Sequence, residues 1–133
     1  MVLVDTSIWI DHLRIGEPRL AELLREDQVL IHPLIIEEIA CGRLMNRREL
    51  FELLENLPKT PQADHAEILG FLENQRLAGC GIGAVDAHLL ASARLAQAPL
   101  WTRDKNLGKA AKKLNLLYET GGSAKGPPPV DKR

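Results

Sequence analysis

Aromatic residues, cysteines and long apolar runs are all scarce in this sequence, and each shortage excludes a class of protein. Aromatic side chains make up 4% of the 133 residues, too few for an extended base-stacking platform. Cys41 and Cys80 lie far apart in no metal-like or redox-like spacing, so we expect reduced thiols in a cytoplasmic protein. No apolar run approaches the roughly 20 residues of a membrane-spanning helix. Because Asp5 follows only four residues, no secretory signal is expected either.

A large excess of charge of one sign is also missing. Lys and Arg total 17 and Asp and Glu total 18, which gives a net charge of −1. The last thirteen residues hold three basic and one acidic side chain, so residues 1–120 carry 14 basic and 17 acidic groups. Binding of nucleic acid through bulk positive charge is therefore excluded. Any contact with phosphate must come from local basic patches or from bound cations.

The length and composition predict one globular domain followed by a short tail. A hydrophobic fraction of 45% and a charged fraction of 26% are ordinary for a soluble domain of this size. Residues 121–133, GGSAKGPPPVDKR, contain a single apolar side chain, Val130. Such a segment cannot bury enough surface to offset its ordering entropy. We therefore assign the domain to residues 1–120 and expect a disordered tail, with a cloning remnant as an alternative origin.

Short apolar runs alternate with helical patterns along the domain. Strands separated by helices predict a mostly parallel sheet covered on both faces, a three-layer α/β/α architecture. Ligands of such sheets bind outside the carboxyl ends of the strands. Strands are predicted at Val2–Val4, Val29–Ile31, Leu100–Thr102 and Leu116–Tyr118. A first helix follows the first strand and ends at Arg14, and a second begins at Pro18. Further helices are predicted over 34–41, 47–57, 63–77, 84–97 and 104–115.

Four acidic residues are candidates for chemistry at that edge. Asp5 and Asp104 each follow a predicted strand, and Glu38 and Asp86 lie on helices that can reach the same edge. Simple alternatives exist, since Asp5 and Asp104 could cap the next helix and Glu38 could be an exposed helix acid. Clustered carboxylates repel one another, and the usual reason to gather them is a hard cation with oxygen ligands. The set therefore favours Mg²⁺ or Mn²⁺.

Four segments of the sequence resemble the motifs of a known family. VDTSIWIDHL, PLIIEEIACG, GIGAVDAHLLASA and LWTRDKNL are similar, in this order, to the four motifs of PIN-domain ribonucleases, and most of all to the VapC toxins of toxin–antitoxin modules. The resemblance extends from Val2 to Tyr118. It implies four catalytic acids, of which three are metal ligands (Asp5, Asp86 and Asp104) and the fourth is Glu38. Glu37 is out of register with Gly42 and is not selected.

The resemblance also implies supporting residues, a cofactor and partners. Ser7 and Thr102 stand where family members often place a supporting hydroxyl, and Asn106 is a further candidate of this kind. Each could equally be a cap or strand-end residue. The implied protein is a Mg²⁺- or Mn²⁺-dependent endoribonuclease that cleaves structured cellular RNA, tRNA or rRNA. It would be a toxin, neutralised by a small antitoxin protein, and a homodimer.

Two alternative functions are weighed against the nuclease. A phosphatase of the haloacid dehalogenase type also begins with an acid at a strand end, but it needs a second acid two residues later, where Ser7 stands. A non-catalytic RNA- or protein-binding module on the same fold would be expected to lack at least one of the four acids, and all four are present.

Two surfaces are candidates for macromolecular contacts. Leu20, Leu23 and Leu24, together with the Leu50–Leu57 helix, offer apolar stripes that could form a groove for an antitoxin helix, although core packing explains them equally well. Basic side chains could form a rim for RNA, with a solvated helix face as the alternative; they are Arg43, Arg47, Arg48, Lys105, Lys109, Lys112 and Lys113.

Overall fold

The fold alternates helices with short parallel strands. The structure, a computed structural model, describes residues 1–120, so the predicted disorder of the tail lies outside the described residues. The elements in chain order are β1 (Val2–Val4), α1 (Thr6–Ile15), α2 (Pro18–Arg25), β2 (Val29–Leu30), α3 (Pro33–Ala40), α4 (Arg47–Asn56), α5 (His65–Asn74), α6 (Ala84–Ala96), β3 (Leu100–Trp101) and α7 (Lys105–Lys113).

The described strands form a three-stranded parallel sheet in the order β2-β1-β3. β1 is the central strand, and its Leu3 lies opposite Leu30 of β2 on one side and Leu100 of β3 on the other. Parallel neighbours need crossover connections, and helices supply them here. The predicted α/β/α architecture with a parallel sheet is confirmed.

The predicted fourth strand, Leu116–Tyr118, is wrong as a strand. It makes one bridge to β3, in which Leu100 donates its N–H to the carbonyl of Leu116 and accepts the N–H of Tyr118, at 2.7 and 2.9 Å. The N–H of Leu116 is already bound to the carbonyl of Ala111 at the end of α7, at 2.7 Å. Because this hydrogen bond at the end of α7 uses the N–H of Leu116, that group does not pair with β3, and the pairing is a single residue long.

The core lies on both faces of the sheet. Side chains of β1, Ile8 and Trp9 of α1, and a row of small and branched residues on α6 are buried. Ala93 of α6 lies in the core with the strands, whereas Ala87 and Ala91 pack against Ile68 of α5 in a second, smaller cluster. Leu20 and Leu23 of α2 also belong to this core, so for these two residues the core-packing alternative is the one that the structure shows.

Helix caps explain where several helices begin. Asp64 and Glu67 form a reciprocal capping box, so α5 begins at His65, two residues later than predicted. Asp5, His32 and Asp104 cap α1, α3 and α7 by accepting backbone N–H groups. Within residues 1–120, no helix combines the length and apolarity needed to cross a bilayer.

Candidate active site

The four predicted acids meet at one edge of the sheet. β1 and β3 are parallel neighbours, so Asp5 and Asp104, which follow them, emerge at the same edge. α3 and α6 bring Glu38 and Asp86 to that edge. The acids share an open cleft of about 440 Å³, which is lined by Asp5, Thr6, Ser7, Glu38, Cys41, Asp86 and Asp104.

Asp5 is the most firmly held of the acids. It is 6% exposed, and its Oδ2 accepts hydrogen bonds from the hydroxyls of Ser7 and Thr102, at 2.8 and 2.7 Å. Ser7 Oγ also accepts the N–H of Arg103, which follows β3, and Thr102 Oγ1 accepts the N–H of Asp104 in its own segment, both at 3.0 Å. Ser7 and Thr102 therefore join the end of β1 to the end of β3.

The other three acids are held by fewer donors. Thr6 Oγ1 donates to Glu38 Oε1 at 2.5 Å. Asp86 Oδ2 accepts the N–H of Gly83 at 3.4 Å, and Asp104 Oδ1 accepts the N–H groups that begin α7. Each carboxylate thus uses one oxygen within the protein. The role of Thr6 was not predicted, although it stands in the same Asp-Thr-Ser segment as the chosen residues.

The second oxygen of each carboxylate has no donor among residues 1–120. These oxygens are Oδ1 of Asp5, Oε2 of Glu38, Oδ1 of Asp86 and Oδ2 of Asp104. Four anionic oxygens without protein donors, in one cleft, are suited to a hard cation or to water.

The spacing of the acids bears on how a cation would bind. As the described side chains stand, no three carboxylates, imidazoles or thiols converge closely enough to bind one ion directly. Mg²⁺ commonly keeps several waters and takes only one or two carboxylates directly. The donor set therefore fits a hydrated Mg²⁺ or Mn²⁺ that reaches some acids through its waters.

Electrostatics single out Asp86. Burial raises the pKa of its carboxyl above the usual value, and the negative charges of Asp104, Asp5 and Glu38 raise it further, while the Gly83 N–H acts in the opposite direction. Because the charged form is disfavoured by its surroundings, a cation in the cleft would relieve both burial and repulsion.

Two residues near the acids are engaged elsewhere. Asn106 does not contact a carboxylate through its side chain; its Nδ2 donates to the carbonyl of Gly81 at 3.3 Å. The guanidinium of Arg103 binds Asp11 at 2.6 Å and also Glu17, so this cation is directed away from the cleft. Nothing in the sequence pattern indicated either contact.

Comparison with known proteins shows the family to which this chain belongs. The model of the PIN domain matches residues 2–113, a range that includes all four acids. This chain belongs to the PIN-domain family. Two curated relatives named Ribonuclease VapC32, from two strains of Mycobacterium tuberculosis, are 52% identical to it over 112 residues, which is 84% of this chain and 90% of theirs. The predicted resemblance to VapC-type PIN domains is confirmed.

Solved structures show the same PIN fold at low sequence identity. FitAcB from Neisseria gonorrhoeae has a TM-score of 0.55 and 22% identity, with 84% of this chain and 94% of that one covered. PAE2754 from Pyrobaculum aerophilum has a TM-score of 0.59 and 19% identity, with 84% and 80% covered. At such identities the likeness concerns the fold alone.

Proposed function

We propose that this VapC-type PIN domain is a metal-dependent endoribonuclease, the toxin of a toxin–antitoxin module, which hydrolyses phosphodiester bonds in structured cellular RNA, tRNA or rRNA. The name of the relatives supports ribonuclease activity. The observation that carries the chemistry is the single cleft in which four carboxylates each keep one oxygen without a protein donor.

Each acid has a place in the proposed reaction. Asp5, Asp86 and Asp104 would hold Mg²⁺ or Mn²⁺, directly or through water. A cation held by these residues would supply hydroxide near neutral pH and would offset charge on the phosphate under attack. Glu38, fixed by Thr6, orients the attacking water with its second oxygen. Ser7 and Thr102 hold Asp5 in place through the hydrogen bonds that their hydroxyls donate to its Oδ2.

Adjacent glutamates on α3 provide a matched test of this function. Glu37 and Glu38 are both exposed, but only Glu38 lines the cleft. We expect Glu38→Gln and Asp5→Asn to abolish cleavage of a tRNA and rRNA mixture, whereas Glu37→Gln keeps it. Loss of a ligand at Asp5 should also weaken Mn²⁺ binding at least about tenfold, the scale of changes to residues that support metal ligands.

The same assay separates this function from the alternatives. Cleavage that survives excess chelator, or full activity of Asp5→Asn, would contradict a metal-dependent nuclease. A binding module would retain RNA or protein without cutting it. A phosphatase of the haloacid dehalogenase type would release phosphate from a monoester. Ser7, where that chemistry needs an acid, donates to Asp5 instead.

An apolar groove supports the antitoxin part of the proposal. It lies between α1 and the segment that runs from the end of α3 into α4, and it encloses about 720 Å³. Leu13, Met45 and Leu53 line it and are 40%, 87% and 43% exposed, an unusual concentration of large apolar side chains at a surface. We assign this groove to an amphipathic helix of the antitoxin.

The charges around the groove indicate what that helix carries. Two basic residues, Arg14 and Arg43, and one acidic residue, Glu49, line the groove, so an excess of acidic side chains on the helix would be matched. Gly42 lines the groove and its neighbour Cys41 lines the cleft, so the two depressions adjoin. A helix seated in the groove can place a basic side chain among the four carboxylates and so block the cation.

Co-expression with the product of the adjacent gene tests the groove. We expect a stable complex that Met45→Glu and Leu53→Glu weaken, because each substitution introduces a charge among the apolar side chains that line the groove. Leu95→Glu is the control, since Leu95 is 54% exposed on α6 and outside the groove. A wild-type chain that purifies alone and is unaffected by the neighbouring product would contradict the assignment.

Assembly and location complete the proposal. The homodimer rests on the family resemblance, and light scattering of the purified chain would test it. A cytoplasmic location is supported by Cys41 and Cys80, which are both exposed and free and would remain reduced there.

A further inference from the structure

We infer that Asn106 is a positioning residue that, through its contact with Gly81, fixes the distance between Asp86 and Asp104. This inference rests on the proposed metal site and concerns how two of its acids are kept together. α6 and α7 both pack on the main core, and the segments at which they begin are joined by the Asn106–Gly81 hydrogen bond.

The first half of the link lies at the start of α7. Asn106 occupies the first turn of this helix, and its backbone N–H donates to Asp104 Oδ1 at 3.0 Å. Its side chain leaves the helix and donates to the carbonyl of Gly81 at 3.3 Å. Asn106 therefore binds both Asp104, which caps α7, and Gly81, which lies in the connection that leads into α6.

The second half of the link runs from Gly81 to Asp86. Gly83, two residues after Gly81, is the cap of α6, and its N–H donates to Asp86 Oδ2 at 3.4 Å. A displacement of Gly81 is transmitted through this short segment to the cap and to the carboxylate. The path from Asp104 to Asp86 thus contains one side chain–backbone hydrogen bond at the start of each helix and the Asn106–Gly81 hydrogen bond between them.

Gly81 fits closely against the amide of Asn106. A Cβ atom at Gly81 would lie 2.6 Å from Asn106 Nδ2 and 3.0 Å from its Cγ, so any larger residue there would displace the amide of Asn106. Gly79 offers a natural comparison in the same connection. Its φ of +78° is nearly the same as the +81° of Gly81, yet a Cβ there would meet nothing within 4 Å.

The hydrogen bond between Asn106 and Gly81 opposes a repulsion among the acids. Asp86 shares the cleft with Asp5, Glu38 and Asp104, and like charges in one cleft repel one another when no cation is bound. The Asn106–Gly81 bond resists that repulsion. A site whose acids are held near their binding positions loses less free energy to reorganisation when the cation arrives.

Titration of the full chain with Mn²⁺, followed by calorimetry, tests the inference. We expect Asn106→Ala and Gly81→Ala each to weaken Mn²⁺ binding about tenfold, as changes to residues that orient metal ligands do. Gly79→Ala is the control, because it introduces similar backbone strain without a contact with Asn106. It should lower the melting temperature, while its Mn²⁺ affinity stays at the wild-type value. In the Asn106→Ala background, Gly81→Ala should cost no more affinity than Gly79→Ala.

The outcomes separate this inference from the proposed function. If wild-type protein fails to bind Mn²⁺, the metal site and the inference are both wrong. If wild type binds and Asp5→Asn does not, but Asn106→Ala binds as wild type does, the metal site stands and only the positioning role is overturned. If Gly81→Ala does not fold, Asn106→Ala decides alone, with circular dichroism to show that it is folded.

Discussion

At the scale of single residues, Asp86 lies in the least favourable surroundings for an ionised acid. Its pKa is raised by burial first and by three neighbouring acids next. We expect Asp86→Asn to melt at a higher temperature than wild type in chelator, because the substitution removes a charge that is both buried and repelled.

Added Mn²⁺ should reverse the order of the two melting temperatures, so that wild type melts above Asp86→Asn. A cation at ten times its Kd stabilises wild type by about 1.4 kcal/mol, and Asp86→Asn should lose most of this gain. Glu37→Gln serves as the control for removal of an acid outside the cleft. Thermal melts with and without Mn²⁺ measure both effects. A lower melting temperature of Asp86→Asn in chelator would show that Asp86 supports the fold and would remove it from the site.

His32 makes the stability depend on pH. Its ring is 1% exposed, its Nδ1 accepts the N–H of Leu34, and burial followed by the charge of His88 lowers its pKa to about 4. The unfolded chain takes up a proton near pH 6.5, while the folded chain resists it until about pH 4. Stability is therefore fully present above pH 6.5 and falls as the pH decreases toward 4, by roughly 2–3 kcal/mol.

Urea unfolding between pH 7 and pH 4 checks this dependence. His32→Asn keeps a capping side chain without a titrating group, so its stability should fall less over this range. His65→Asn, at an exposed position, should keep the wild-type slope. Asp86 acts with the opposite sign, since an acid with a raised pKa adds stability as the pH falls. An unchanged slope in His32→Asn would contradict the assignment.

At the scale of elements, the contact between the ends of β1 and β3 depends on Thr102. Its hydroxyl donates to Asp5 and accepts the N–H of Asp104. We expect Thr102→Val to destabilise the protein by about 1–2 kcal/mol, because a buried carboxylate loses a donor and an N–H loses its acceptor. Thr60→Val is the matched control, since Thr60 is 4% exposed and its hydroxyl has no partner among the described residues. Equal losses of unfolding free energy in the two variants, measured by urea unfolding, would show that the hydrogen bonds of Thr102 contribute nothing to stability.

The elements also show which parts of the fold the sequence could predict. β1, the helix that follows it and the acids at two strand ends were readable, because apolar runs and caps are local signals. The length of the last strand was not, since it depends on which carbonyl takes the N–H of Leu116. The burial of Leu20 and the contact of Asn106 with Gly81 were hidden for the same reason: each is decided by a partner distant in sequence.

At the scale of the whole molecule, completion of the sheet requires most of the chain. The central strand pairs near residue 29 on one side and near residue 100 on the other. We expect residues 1–96 alone to be unfolded by circular dichroism, because Leu3 and Val4 then lose one neighbouring strand and the helix that follows it. Residues 1–120 should melt as the full chain does, if the tail is outside the domain. A cooperative melt of the shorter fragment would contradict this view.

The central position of the first strand has a consequence during synthesis. Asp5 is made long before its partner hydroxyl at Thr102 and its fellow acid Asp104. A nascent chain on the ribosome therefore carries no assembled cleft until the segment around Thr102 and Asp104 has emerged, and such long-range pairing is slow to form. Under the proposed activity, each copy is harmless to the translation machinery while its first hundred or so residues are made, and becomes dangerous only once the later segment has folded against them.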